Sequence, residues 1–302
     1  LLANGAILIP DLAAVLLGEG VPLSVERFAI SKDARFLAIQ TVSSYLAEDD
    51  DLNDSSDIYL VDLNTYAVKR VTLSGGIDVF SAAYLGNIFS DASSVQVTFS
   101  TEGPFVSTVL DGNFSASDPD VGRDAYVWSS GFNEEGLTGT QSVRLVSAGT
   151  DGKAAGMVAD AGSSGFVGSM AATGAGIFFT SESASLVSGD VNGSADVFLA
   201  SPTGNTVARI SLDGISELGN GASFVGASSD GRYVAMLSSS LAQNSSDQQL
   251  ILVDRSSGSY ELVSGALSVI QALFSPSGKI AAFTTESSDV QTADGGQPYS
   301  LF

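Results

Sequence analysis

The chain of 302 residues carries 34 Asp and Glu against 12 Lys and Arg, a net charge of −22, with no cysteine and no histidine. That balance argues against nucleic acids and anionic membrane surfaces as partners, since both would be repelled. The missing Cys and His exclude disulfide staples, thiolate metal sites, the usual zinc ligand and the usual general base.

Leu1 to Leu23 is the most apolar stretch, but Pro10, Asp11 and Glu19 interrupt it and it has no basic flank. It reads as neither a membrane span nor an intact signal peptide. Ala6–Leu12 and Ala14–Leu17 instead resemble the third and fourth strands of a partial unit. From there a unit repeats, starting near residues 24, 79, 165, 222 and 267, which predicts one repeat domain over 1–302.

Each unit opens with a strand and a tight turn into a second strand: Ser31-Lys-Asp33-Ala-Arg-Phe36, Ser90-Asp-Ala-Ser-Ser-Val95, Ala172-Thr-Gly174-Ala-Gly-Ile177, Ser228-Ser-Asp230-Gly-Arg-Tyr233 and Ser275-Pro-Ser-Gly278-Lys-Ile280. Gly and Asp tolerate the backbone angles such turns need. An acidic loop follows in three units: Asp51-Leu-Asn53 to Asp57, Asp118-Pro-Asp120 to Asp124, and Asp190-Val-Asn192 to Asp196. Each loop runs into an apolar third strand, such as Asp57–Asp62 or Asp196–Ala200. Fourth strands of alternating pattern come next: Val68–Leu73, Val143–Ser147, Val207–Leu212 and Tyr260–Ser264. Four strands per unit at roughly fifty-residue spacing predict an all-β fold, a β-propeller of four-stranded antiparallel blades. About five repeats are visible. Either the N-terminal strands close the ring by completing the last blade, or the chain is part of a longer propeller.

The Ser-Ser-Asp-Gly-Arg-Tyr-Val-Ala wording at 228–235, with variants at 31–38 and 275–282, resembles the TolB-type β-propeller repeat. The Asp-Val-Asn-Gly-Ser-Ala-Asp-Val-Phe wording at 190–198 is similar to the version in secreted bacterial propellers, whose Asp-rich loops are associated with calcium. The resemblance covers nearly the whole chain from about residue 24 and implies a fold, not a substrate.

Side-chain oxygens two residues apart with a further Asp four residues on suit a hard cation, so Asp51, Asn53, Asp57, Asp118, Asp120, Asp124, Asp190, Asn192 and Asp196 are candidate ligands of structural calcium. The same residues also suit Asx turns in a solvated loop. In the fourth unit the loop reads Gln243 to Gln249 and loses most of its acids; the fifth offers Asp289 and Asp294 in a shorter loop. The second unit carries insertions, Thr101 to Ala116 between strands two and three and Ser129 to Gln141 between three and four. Their Phe105, Phe114 and Phe132 are candidate partner-binding anchors or packing residues. Trp128 is expected in the core.

No Gly-x-Ser-x-Gly elbow, Walker loop or dinucleotide fingerprint occurs, and no Ser-His-Asp triad is available without histidine. The combined expectation is an exported, extracellular or cell-surface, calcium-binding module without enzyme activity. It would bind or scaffold for a bacterial surface, matrix or appendage system, with a protein or glycan partner and no membrane insertion. The alternative is a calcium-dependent propeller hydrolase, lactonase-like or phosphatase-like, which would gather carboxylates from several blades at one deep site.

Overall fold

The computed structural model describes residues 24–43, 46, 55–74, 77–78, 82–101, 124–150, 170–202, 206–213, 216–241, 247–264, 268–275 and 277–285. Every regular element among them is a β-strand. The first sheet is β1 (Val25–Ile30), β2 (Phe36–Thr41), β3 (Asp57–Asp62) and β4 (Val68–Arg70), in that spatial order. A short ladder of β5 (Leu73–Ser74) and β6 (Ile77–Asp78) leads to the second sheet: β7 (Ala83–Ser90), β8 (Ser94–Thr101), β9 (Asp124–Asn133) and β10 (Gly136–Leu145). The third comprises β11 (Met170–Thr173), β12 (Gly176–Ser181), β13 (Asp196–Ala200) and β14 (Val207–Arg209), followed by the ladder β15 (Leu212–Asp213) and β16 (Ser216–Glu217). The fourth is β17 (Ser223–Ala227), β18 (Tyr233–Ser238), β19 (Gln249–Asp254) and β20 (Ser259–Leu262), and β21 (Val269–Phe274) pairs with β22 (Ala281–Thr285) beyond it.

All pairings are antiparallel between sequence neighbours, and the first strand of each sheet packs on the sheet before it. Thus β7 touches β1, β2 and β3 on one side and β11 on the other, while β17 lies against β11, β12 and β13. Successive four-stranded meanders stacked in this way are the blades of a β-propeller.

The alternation of side chains along the middle strands decides how the blades adhere. In β12, Phe178 turns to the third–fourth core beside Phe224 and Met236, while its neighbour Phe179 turns to the second–third core beside Phe198 and Val127. Phe178 and Phe224 stack with centroids 5.7 Å apart. Both faces of β2, β3, β12 and β13 are buried, which is why these segments are almost continuously apolar. The fourth strands β4, β14 and β20 are partly exposed. Trp128 on β9 is buried with Val97, Phe99 and Val143 between the first and second blades.

One expectation is corrected. Ser129 to Gln141 is not a loop insertion: it belongs to the ten-residue strands β9 and β10, which turn at Glu134 and Glu135. The turn is made by Asn133, whose Oδ1 accepts the Glu135 N–H at 2.8 Å, and by Gly136 at φ 128°. Of the small polar residues that look loop-like in sequence, Ser129 pairs with Ser142 and Gly131 with Thr138 across the hairpin, on either side of a register shift, and Gly131 is also opposite Ser94. The expected partial blade at 1–23 and the acidic residues Asp289 and Asp294 lie outside the described residues.

Candidate functional site

The acidic loops deliver their last Asp to the first position of the third strand in three blades, and a glutamine takes that place in the fourth. Asp57, Asp124, Asp196 and Gln249 begin β3, β9, β13 and β19, and all are buried. Each faces a buried hydroxyl across the ladder: Thr41, Thr101, Ser181 and Ser238 respectively. A second hydroxyl comes from just beyond the fourth strand. Thr72, Ser147 and Ser211 donate to Oδ1 of Asp57, Asp124 and Asp196. The same hydroxyls accept the N–H of the next residue, Ile58 at 3.3 Å, Ala125 at 3.0 Å and Val197 at 3.1 Å; in the fourth blade Ser264 accepts from Leu250 at 3.0 Å. A strand-end latch thus ties the end of strand four to the start of strand three.

The counter-charge differs between blades. Arg70 reaches Asp57 at 2.6 Å, with the two side chains 0% and 1% exposed. In the third blade Arg209 Nη1 stands 3.7 Å from both Asp190 Oδ1 and Asp196 Oδ2. Strand register explains the correspondence: Arg70 is opposite Tyr59 and Arg209 opposite Phe198. At the equivalent ladder positions stand Leu145, opposite Tyr126, and Leu262, opposite Ile251. The fourth blade, with Gln249 for Asp, has no carboxylate there to balance.

The third loop is the one whose three candidate ligands are all described, and the structure does bring them together. Asn192 Nδ2 donates to Asp196 Oδ2 at 3.0 Å and to the Leu218 carbonyl at 2.9 Å, while its Oδ1 accepts the Ser194 N–H at 2.8 Å. Calcium requires six to eight oxygens converging at 2.3–2.6 Å. Here the amide turns its nitrogen, not its oxygen, toward Asp196, and a guanidinium lies between the two carboxylates. That arrangement does not fit a calcium site. No group of three or more acidic side chains placed to hold a metal occurs among the described residues. Asp51, Asn53, Asp118 and Asp120 lie outside them, as do Phe105 and Phe114.

Burial raises the Asp196 carboxyl above its ordinary 3.8, with Asp190 adding to the rise against the lowering influence of Ser211, Asn192 and Arg209. A raised folded value means that the folded state holds the proton more tightly than the unfolded chain. Its unfavourable contribution is therefore full above the folded pKa and is relieved as pH falls through that value toward 3.8. Asp196→Asn, which keeps an acceptor for Ser211, is expected to flatten stability against pH in this window. Urea midpoints taken across it test the point, and parallel curves for wild type and variant would refute it.

The Ser-x-Asp-Gly-Arg phrase is also a structural device. Ser228 Oγ donates to Asp230 Oδ1 at 2.6 Å and accepts the Tyr233 N–H at 2.9 Å, closing the turn. The Ser228 hydroxyl and the Arg232 N–H hold the exposed Asp230 carboxyl below its usual range. Arg232 then makes a two-pronged pair with Asp254 at the end of β19, at 3.0 and 2.7 Å. In the first blade Arg35 pairs likewise with Asp62, at 3.3 and 2.9 Å, and also donates to the Asn133 carbonyl of the next blade. Its guanidinium lies 4.5 Å from the Phe132 ring, which in turn packs edge-on against Phe36 at 4.9 Å. Phe132, a candidate partner anchor, is thus packed on the first blade.

The carboxylate–arginine latch is a feature that sequence reasoning missed. Its signal is the repeated Arg70-Val-Thr72 and Arg209-Ile-Ser211, with the hydroxyl fifteen residues after the Asp in both blades.

No protein-family model and no curated protein sequence matches the chain. Among solved structures it is similar to an acylaminoacyl peptidase in complex with Z-Gly-Gly-Phe-chloromethyl ketone (13% identity, 88% of this chain, 36% of that one, TM-score 0.46). It is similar as well to an oligogalacturonate lyase from Vibrio parahaemolyticus (13%, 87% and 63%, TM-score 0.46) and to the β-propeller domain of the Trilobed protease from Pyrococcus furiosus (11%, 87% and 65%, TM-score 0.45). The chain spans about a third of the peptidase's length, and no activity is carried over from any of them. No helix among the described residues is long and apolar enough to cross a membrane.

Proposed function

We propose that this propeller is an exported binding or scaffolding module of a bacterial surface, matrix or appendage system, engaging a protein or glycan through the connection between β8 and β9. The supporting observation is the length of that connection. It spans 102–123, whereas the equivalent connections span only 42–56, 182–195 and 239–248. A four-stranded blade has no need of the extra chain, and loops borne on a rigid scaffold are where recognition concentrates. Phe105 and Phe114 supply its aromatic character.

Calcium belongs to the same proposal, and the second loop is its best location. Asp118, Asp120 and Asp124 share the spacing of the other loops and are all carboxylates, the oxygen donors that a hard divalent ion takes. Calcium is then expected to raise the melting temperature relative to chelator at matched ionic strength, reflecting a stabilisation of about 2.7 kcal/mol per site at a hundredfold excess over Kd. Asp120→Ala should abolish that increment. Superimposable melts in calcium and chelator would remove calcium from the reading.

The binding role is tested by replacing residues 105–114 with a short Gly/Ser turn. Attachment to bacterial surface material should fall while the unfolding midpoint holds. Unchanged attachment, or turnover of ester or phosphate substrates abolished by removing one central carboxylate, would put the hydrolase reading in its place.

A further inference from the structure

The turn between β3 and β4 and the turn between β19 and β20 are built alike. In the first, the Tyr66 N–H donates to the Asp62 carbonyl at 2.7 Å and the Asn64 N–H to Asp62 Oδ1 at 3.0 Å. In the second, Gly258 and Ser256 make the same two bonds to Asp254, each at 2.9 Å. The matching residues are both left-handed, Tyr66 at φ 57° and Gly258 at φ 71°. Glycine takes that conformation freely, whereas a bulky side chain there is an outlier that asks for a reason. The interior does not supply one. Tyr66 is 52% exposed, and among the described residues its hydroxyl has no hydrogen-bond partner and its ring no aromatic or cationic neighbour.

The tip of the β9–β10 hairpin stands beside this turn. Thr65 Oγ1 lies 4.0 Å from the point that a Cβ on Gly136 would occupy, and Arg35, which forks to Asp62, also donates to the Asn133 carbonyl. Glu134 and Glu135 at that tip are exposed and, among the described residues, make no ion pair or side-chain hydrogen bond, with Lys69 or any other group. An aromatic face and two carboxylates, from adjacent blades, thus share one surface without a cation between them. The same row of turns shows what completes such a set. Arg35 lies 4.5 Å from the Phe132 ring while it holds Asp62, and Arg232 lies 4.8 Å from the Tyr233 ring while it holds Asp254. Each guanidinium stacks on an aromatic face and forks to a carboxylate, the two contacts its planar shape suits.

We propose that Tyr66, Glu134 and Glu135 form a docking site for an arginine on a basic segment of a partner protein, with the guanidinium over the Tyr66 ring and forked to one of the glutamates. The partner supplies the third member of a set that the chain completes internally at Arg35 and Arg232. The excess of 34 acidic over 12 basic residues favours the approach of a cationic segment. A neutral glycan stacked on the ring would leave both negative charges unbalanced. The site lies at the opposite end of β9 from the 102–123 connection, so it does not rest on the role proposed for that connection.

The test titrates the full chain calorimetrically, at low salt, with the peptide acetyl-Gly-Arg-Gly-Arg-Gly-amide, with the same peptide carrying citrulline, the uncharged isostere of arginine, and with cellotetraose. Saturable binding of the arginine peptide is expected, with the citrulline peptide about tenfold weaker and the sugar silent. Tyr66→Gly, which installs the residue of the fourth blade, should weaken the arginine peptide about fivefold while the urea midpoint stays at or above that of wild type. Tyr66→Phe should bind as wild type does. Glu134→Gln with Glu135→Gln should weaken the arginine peptide about fivefold and leave the citrulline peptide unchanged. Arginine-peptide binding undiminished by Tyr66→Gly or by the double glutamine variant would be diffuse attraction to a chain of net charge −22, and would overturn the assignment. So would no binding of the arginine peptide, equal affinity for the citrulline peptide, cellotetraose binding that Tyr66→Gly abolishes, or a lowered urea midpoint in Tyr66→Gly. Replacement of 105–114 should leave peptide binding intact, so this site and the loop-borne partner contact fail or stand separately.

Discussion

Replacing Arg70 with methionine is expected to lower the unfolding free energy by about 3–5 kcal/mol, read from urea denaturation. The guanidinium and the Asp57 carboxylate are both sealed from solvent, and removing the cation leaves a buried anion that still accepts from the Thr72 hydroxyl. A carboxylate held in such surroundings is costly without its counter-charge. The fourth blade shows a neutral solution at the same ladder position, with Gln249 at the start of the third strand and Leu262 in place of arginine. Importing that pair as Asp57→Gln with Arg70→Leu should therefore recover more than half of the loss. A single-variant effect under about 1 kcal/mol, the scale of a surface pair, would show that Arg70 is not the charge the latch depends on.

The second large effect concerns one backbone position in two blades, with opposite signs. Gly231 has φ 68° in the turn between β17 and β18, and a Cβ there would stand 2.5 Å from the Ala175 Cβ and 2.9 Å from Thr173 Oγ1. Gly231→Ala combines left-handed strain of about 1–2 kcal/mol with overpacking of about 1–3 kcal/mol, so a loss of about 2–5 kcal/mol is expected. The corresponding residue of the first blade is Ala34, already at φ 57°. There Ala34→Gly should stabilise the fold by up to about 1 kcal/mol, the relief of strain exceeding the entropy that glycine adds to the unfolded chain. Urea midpoints at constant m value measure both. If both substitutions shift stability in the same direction, the two turns are not equivalent.

Much of the fold is legible without coordinates because its causes are local. Phe178 and Phe179 belong to a strand buried on both faces, Ser228 to Tyr233 spell out a turn, and such patterns depend only on residues a few positions apart. Period-two burial and turn chemistry therefore identify blades from sequence alone. The segment 129–141 misleads for the same reason. Its small polar residues look loop-like locally, whereas pairing of Gly131 with Ser94, far away in sequence, holds them in a strand.

The sequence by itself determined an all-β propeller chain, its repeat and the positions where acidic side chains gather. Tertiary structure decided what those side chains meet. Asp57 and Arg70 lie thirteen residues apart and come together through the β3–β4 register, which sets Tyr59 opposite Arg70. Arg209 enters the third acidic loop in the same way, converting a spacing that suits calcium into a carboxylate–arginine latch. Phe132 joins Phe36 and Arg35 only because the second blade stacks on the first. The cavity lined by Ile30, Ile88, Ala171 and Ala227 draws residues from four blades, and no periodicity marks them. Charge balance and burial are properties of groups brought close in space, and chain order does not encode that closeness until the sheets are stacked.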